Sequence, residues 1–207
     1  QAEIKPFTPE EARAFIQAIH GERLEALYTL AIATGLRQAE VLGLSWGDID
    51  LDQRQLTVRT TLQRINGEFL FVEPKTSRSR RTLALPDMVV DALRAHKGRQ
   101  IGERLQAGAT WVESDLVFTA PAGGPLSDRV VRARFYRILE TAGLRRQRFH
   151  DLRHSCASLM IAQGVQSREV METLGHSTIV MTLNCYAHIF QEAQRETAKK
   201  MGQILTG

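Results

Sequence analysis

Four short segments of this 207-residue chain hold side chains that could act on an anionic group. They are Thr34-Gly35-Leu36-Arg37-Gln38-Ala39-Glu40, the basic stretch around Lys75, His150-Asp151-Leu152-Arg153-His154, and Leu174-Gly175-His176 followed by Tyr186-Ala187-His188. Arginine offers a planar fork of donors that suits phosphate oxygens. Imidazole and ammonium groups can carry protons, and a tyrosine hydroxyl can be an activated nucleophile. Taken singly, each residue has a plainer explanation. Arg37 can pair with Glu40, and Lys75 can be a solvated loop lysine. His150 and Arg153, three apart, share one helical face and can be a cap and an exposed arginine. His176 can begin a turn, and Tyr186 can be a half-buried core residue.

The elements that must position these groups are legible. Thr8 is a helix N-cap, Pro9 suits the first helical position, and Glu11 completes a capping box. Ala14, Phe15 and Ala18 then give one buried face. A second helix is expected over about Glu22 to Thr34, with Gly35 as its stop. A short third helix carries Arg37, Glu40, Val41 and Leu44 before Trp46. From Leu51 to Leu85 the pattern alternates, and Asn66-Gly67 marks a hairpin between two strands. A third strand, Arg81 to Leu85, ends at Pro86. The polar, basic connection from Glu73 to Arg80 is expected to be exposed. A helix over about Pro86 to Gln106 follows, then an apolar run from Leu116 to Phe118 and a loop from Pro121 to Pro125. Ser127 caps a helix carrying Val130, Val131, Phe135, Ile138 and Leu139, which Gly143 ends. Helices are then expected from near His150 to Gly164, from about Ser167 to Gly175, and through Met181 toward Tyr186. A final amphipathic helix runs over Ile189 to Ile204. The fold class is mainly α with a small three-stranded antiparallel β-sheet, and the pattern contains no internal repeat.

Composition sets the class. Apolar residues make up 43% and charged residues 24%, the proportions of a globular domain. No stretch approaches the roughly 20 apolar residues of a membrane span, and the charged N-terminus does not read as a signal peptide. Cys156 and Cys185 fit no paired metal spacing, and buried thiols of a cytosolic chain are the expected reading. The net charge is +4, with 27 basic residues, of which five are lysines and twenty-two arginines. That bias suits phosphate contacts and becomes informative through where the arginines fall.

Together the four segments strongly resemble the tyrosine recombinase family, also called the phage integrase family. The first family box is an Arg in a Thr-Gly-Leu-Arg-x-x-Glu run followed by Leu and Trp, and the chain has TGLRQAEVLGLSW. The second is His-x-x-Arg, and the chain has HDLRHSCAS. The last is Leu-Gly-His, a spacer, then Tyr-x-His, and the chain has LGHSTIVMTLNCYAH. The family's lysine lies in a β-hairpin between the first two boxes, and Lys75 is the only lysine of the strand region. The resemblance runs from about Thr8 to Ile189. It implies the family's catalytic-domain fold and a catalytic set of Arg37, Lys75, His150, Arg153, His176 and the nucleophile Tyr186, supported by Glu40 and His188. His188 is read either as an assistant or as a packing residue. Arg78 and Arg80 of the basic connection and Arg81 at the start of the third strand are expected to contact DNA.

The chemistry explains these residue types. Attack on a phosphodiester builds negative charge on non-bridging oxygens, which pre-oriented Arg37, Arg153 and His176 can stabilise. Tyr186 attack keeps the bond energy in a tyrosyl-phosphate, so neither ATP, a metal nor another cofactor is expected. His150 serves as general base or relay, Lys75 as general acid for the leaving alkoxide, and Glu40 holds Arg37 or a nearby backbone group.

The resemblance implies a 3′-phosphotyrosine, strand exchange through a four-way junction, and four subunits on two DNA duplexes with half of them active at a time. The isolated domain is expected to be monomeric, with salt-dependent and weakly specific binding to double-stranded DNA. Residues 1–207 read as one catalytic domain, with 1–6 a linker remnant, the family's N-terminal DNA-binding domain absent, and 189–207 a tail that docks either on a neighbour or on its own domain. A bacterial or phage-encoded, cytoplasmic and nucleoid-associated recombinase is the expected setting, either of a mobile element and acting in DNA integration or a chromosome-dimer resolvase. Two rivals stand beside it: DNA relaxation of the type IB topoisomerase kind, and a non-catalytic DNA-binding module with the same fold.

Overall fold

A computed structural model describes residues 5–73, 80–176 and 178–206. Among these described residues, eight α-helices and five strands follow in the order α1 (Pro9–Ala18), α2 (Glu25–Thr34), α3 (Gln38–Leu42), β1 (Ile49–Asp50), β2 (Gln55–Val58), β3 (Thr61–Ile65), β4 (Glu68–Val72), β5 (Arg81–Ala84), α4 (Asp87–Ala107), α5 (Asp128–Thr141), α6 (Asp151–Ala162), α7 (Ser167–Leu174) and α8 (Ile179–Thr206). The mainly helical class with a small antiparallel sheet is borne out. No helix among the described residues is long and apolar enough to cross a membrane.

Local chemistry sets the helix ends. Thr8 Oγ1 accepts from the Glu11 amide at 3.2 Å, and the Glu11 carboxylate accepts from the Thr8 amide at 2.8 Å, the reciprocal capping box. Ser127 caps α5, accepting from the Arg129 amide at 3.3 Å. α2 begins at Glu25 rather than near Glu22, because the chain turns through Glu22–Leu24, with the Glu25 amide bonded to the Glu22 carbonyl at 3.0 Å. From Ala26 to Ile32 every residue of α2 is buried, so this helix is the axis of the domain rather than a surface element. Phe15, Tyr28, Phe135 and Phe149 pack around it with ring centroids 5.7–6.2 Å apart, and Tyr28 donates its hydroxyl to the Val131 carbonyl at 2.9 Å.

The sheet differs from expectation in its membership. The Asn66-Gly67 turn, with φ of 51° and 91°, joins β3 to β4, and these two pair only with each other. The three-stranded sheet is β1-β2-β5, antiparallel throughout, with Leu56 opposite Leu83 and Val58 opposite Arg81. Leu56, Val58 and Leu83 are buried, so β2 and β5 are joined by a shared apolar face.

Two hydrophobic clusters result. The large one joins α1–α6 and the sheet, whereas Ala157, Ile161, Val170, Leu174 and Tyr186 form a small one between α6, α7 and α8. The span α8 consists of two helices that meet at a kink at Tyr186, where the backbone leaves helical geometry (φ −125°, ψ 17°). The two helices expected on either side of this tyrosine are thus present, and they meet at the tyrosine itself.

Candidate active site

The start of α6 breaks the amphipathic rule. Asp151, Arg153, His154 and Ser155 are all buried there, and charged residues are seldom buried unless they are paired or functional. Arg153 is 3% exposed. Its Nη1 donates to the Gly35 carbonyl at 2.8 Å, and its Nη2 has no hydrogen-bond partner. Burial first, and then the positive charge of Arg37, pulls the Arg153 guanidinium down to about 10.

Gly35 makes that anchor possible. It closes α2 in the left-handed region at φ 64°, and a Cβ there would stand 2.6 Å from Leu174 Cδ2. Gly35→Ala is expected to destabilise the domain by about 1–2 kcal/mol for the left-handed backbone alone. Thermal melting would register this as a fall of roughly 2–8 °C.

Past Gly35 the chain caps α3. The Glu40 carboxylate accepts from the Arg37 amide and from Arg37 Nη1, both at 2.8 Å. It also accepts from Arg81, Nη1 at 3.2 Å and Nη2 at 3.0 Å. Burial pushes the Glu40 carboxyl up, but the hydrogen bonds and charge of Arg81 and Arg37 outweigh it and hold it below the usual carboxylate range. Glu40 was expected to hold Arg37, and the geometry places it between two guanidiniums.

Arg81 opens the third strand as expected, but its side chain is turned inward rather than toward solvent. Its side chain is 7% exposed, and its Nε donates to the Thr173 carbonyl at 2.8 Å. A Cβ on Gly175 (φ 65°) would come within 2.8 Å of its Nη1. The reason is strand periodicity: Arg81 and Leu83 share the inward face of β5, and Arg80 is the residue that turns outward. Arg80 is exposed and paired with Glu73. The corrected reading of Arg81 is a strut of the pocket wall rather than a surface DNA contact. Lys75 and Arg78 lie outside the described residues, as does the side chain of His188.

The two later boxes meet the first. His176 follows the left-handed Gly175 cap of α7, and its Nδ1 lies 2.7 Å from Thr182 Oγ1. Burial, then Arg153 and Arg37, hold its imidazole down at about 4, so it is neutral at physiological pH. Tyr186 is 2% exposed, and its Oη lies 2.9 Å from His154 Nδ1. His154 is the site residue that sequence reasoning missed. The available signal was its place one turn after His150, beside Arg153 on the same helix. His150 itself is exposed at the start of α6, its ring edge-on to His154 with centroids 5.2 Å apart. Burial lowers its pKa.

Arg37, Arg81, Arg153, Glu40, His150, His154, His176 and Tyr186 thus converge from α3, β5, α6, the end of α7 and α8. Three guanidiniums stand against one carboxylate, an excess of positive charge suited to an anionic group. The model of the phage integrase family matches residues 5–193. The chain belongs to that family. It is 34% identical over 216 residues to a tyrosine recombinase XerC-like protein of Caldanaerobacter subterraneus subsp. tengcongensis, covering 99% of this chain and 55% of that protein. It is 30% identical over 204 residues to the ICEBs1 integrase of Bacillus subtilis, covering 98% of this chain and 55% of that integrase. Among solved structures, the Tn1549 transposon integrase in complex with circular intermediate DNA matches with a TM-score of 0.81 at 24% identity, over 97% of this chain and 68% of that one. The catalytic domain of bacteriophage HP1 integrase matches with a TM-score of 0.58 at 19% identity, over 95% of each chain. These structural likenesses show the phage integrase fold. The chain spans about half the length of the curated relatives it matches.

Proposed function

We propose that the chain is the catalytic part of a site-specific recombinase that cleaves and rejoins double-stranded DNA through a 3′-phosphotyrosine on Tyr186. One observation carries the reading: the buried Arg153 keeps Nη2 without a partner while Nη1 is fixed on Gly35. A buried donor left unpaired is costly, and an anion seated there would complete it. Arg37, on the pocket rim at 37% side-chain exposure, supplies a second fork for the same phosphate. His176 Nδ1 lies 2.7 Å from the Thr182 hydroxyl; with that hydroxyl as the donor, the ring proton sits on Nε2 and gives the phosphate a third bond. Such donors act on the charge that develops during attack.

In this reading Tyr186 attacks phosphorus, the 5′-oxygen leaves, and Lys75 gives that oxygen its proton. The connection that carries Lys75 is rooted at Arg81, whose bonds to Glu40 and the Thr173 carbonyl fix its base on the pocket. Four subunits on two duplexes would complete an exchange, with α8 as the candidate for subunit docking. The XerC-like protein and the ICEBs1 integrase support this assignment by name, and the intact set of polar groups supports it chemically.

The test is a nicked suicide duplex given to the full-length protein. A covalent protein–DNA adduct is the expected product, and its absence ends the enzyme reading. A parallel assay on a four-way junction should give resolved duplexes. Supercoil relaxation without resolution would instead move the chain to the topoisomerase-like alternative.

Arg153→Met separates the pocket's chemistry from its stability. Loss of an oriented donor is expected to slow adduct formation by about 100- to 1,000-fold. The melting temperature should fall by about 2–12 °C, because methionine fills the volume and removes the unpaired Nη2 but leaves the Gly35 carbonyl without its donor, a loss of about 1–3 kcal/mol. Single-turnover cleavage and a thermal melt measure the two effects.

A further inference from the structure

We infer that Arg81 is a positioning residue for cleavage, setting the spacing of the two anion donors Arg37 and His176 by clamping together the elements that carry them. The inference deepens the phosphotyrosine reading above and rests on it. Arg81 opens β5, and its side chain is 7% exposed. The end of its guanidinium grips Glu40, with Nη1 3.2 Å from Oε1 and Nη2 3.0 Å from Oε2. The side edge of the same plane turns to α7, where Nε donates to the Thr173 carbonyl at 2.8 Å. One rigid fork therefore spans α3, β5 and the end of α7.

On one side the clamp reaches Arg37. Each Glu40 oxygen takes one bond from each arginine. Oε1 accepts from Nη1 of both, and Oε2 accepts from the Arg37 amide and from Arg81 Nη2. Held from the Arg81 side, the carboxylate presents a fixed edge to Arg37, and both the backbone and the guanidinium of Arg37 take their place from it.

On the other side the clamp reaches His176. The Arg81 side chain lies against Gly175, where a Cβ would stand 2.8 Å from Nη1, 3.0 Å from Cζ and 3.2 Å from Cδ. The space that glycine leaves is the space that Arg81 fills. The left-handed Gly175 then turns the chain so that His176 Nδ1 meets Thr182 Oγ1 at 2.7 Å. Val41 and Leu42 of α3 pack in the large hydrophobic cluster, whereas Leu174 of α7 packs in the small one. Apolar packing within each cluster does not set the distance between the two donors, and the directional bonds of Arg81 do.

All three guanidinium nitrogens donate to protein acceptors, so the part Arg81 plays in the reaction runs through its neighbours. Its charge is also felt in the pocket. It adds to burial and Arg37 in lowering Arg153, and to burial, Arg153 and Arg37 in lowering His176.

Arg81→Lys and Arg81→Gln in the full-length protein test the assignment. Lysine keeps the charge beside Glu40 and glutamine keeps a donor, but neither offers the planar fork that holds Glu40 and Thr173 together. A thermal melt identifies the folded variants, and single-turnover adduct formation is read on a nicked suicide duplex. A folded variant is expected to form adduct about 100-fold more slowly than wild type, the cost of misplacing a reacting group by about 1 Å. Its affinity for the duplex should stay within about threefold of wild type, since DNA is held through many phosphates. The same substitutions are then made in His176→Asn and Arg37→Met backgrounds. Because Arg81 acts through those two donors, its substitution should cost about tenfold or less once either is gone. An equal cost in all three backgrounds, a loss of affinity as large as the loss of rate, or failure of both variants to fold overturns the assignment. Absence of adduct from the wild-type protein would instead end the phosphotyrosine reading itself, a separate outcome.

Discussion

Replacing Tyr186 by Phe is expected to abolish the covalent adduct on a nicked suicide duplex while leaving a folded protein that still binds DNA. The ring is 2% exposed and packs with Ala157, Ile161, Val170 and Leu174. Phenylalanine keeps that packing and removes only the hydroxyl. The lost hydrogen bond to His154 costs roughly 1 kcal/mol, a shift of about 2–4 °C in melting temperature for a domain of this size. Tyr186 is the hydroxyl placed beside His154, so denaturing gels should show no shifted band at any time point. A persistent adduct would require a different nucleophile. A collapse of the fold would show that the tyrosine is chiefly a packing residue.

The second large effect is expected at Glu40. Its carboxylate, 2% exposed, accepts from the guanidiniums of both Arg37 and Arg81. Glu40→Ala leaves both charges facing a void with Arg153 close by. Breaking a buried pair from one side costs about 3–5 kcal/mol, or roughly 6–20 °C in melting temperature. Cleavage should fall too, since Arg37 loses its brace. Glu40→Gln keeps the volume and isolates the charge. The folded-state pKa of Glu40 lies below its ordinary value of 4.5. The carboxylate therefore stabilises the fold fully above that value, and the contribution fades as pH falls through the lower folded-state pKa. Urea melts should show wild type well ahead of Glu40→Gln at neutral pH, with the gap narrowing in acid.

Which parts of this site were legible in the sequence follows from how local each determinant is. The caps at Thr8 and Ser127, the Gly35 and Gly175 stops and the Asn66-Gly67 turn depend on a few adjacent residues, and each is where the pattern puts it. The three boxes could be read as one set only through their resemblance to a family, because Arg37, Arg153 and Tyr186 are far apart in the chain and meet through tertiary packing. Arg81 stands at the start of the expected strand, but the basic run before it invites an outward reading of its side chain, which is 7% exposed. The alternation with Leu83 and Leu85, both buried, was the better guide. Sheet membership was hidden because β1 has only two residues and gives almost no pattern. His154 was hidden in plain view inside a box whose other members drew the assignment, and only the Nδ1–Oη distance singles it out.

The division of the interior into two clusters has a mechanical meaning. Arg37, Glu40 and Arg153 are braced by elements of the large cluster, whereas Tyr186 is held by the small one. Each buried aliphatic side chain contributes about 1.5–3 kcal/mol, so each cluster holds its own elements together. Such units open as separate cooperative pieces. The seam between the two pieces is bridged by the Arg81 bond to Thr173 and the His154 bond to Tyr186. Loosening of α7 and α8 would therefore displace Tyr186 while leaving Arg37, Glu40 and Arg153 in place.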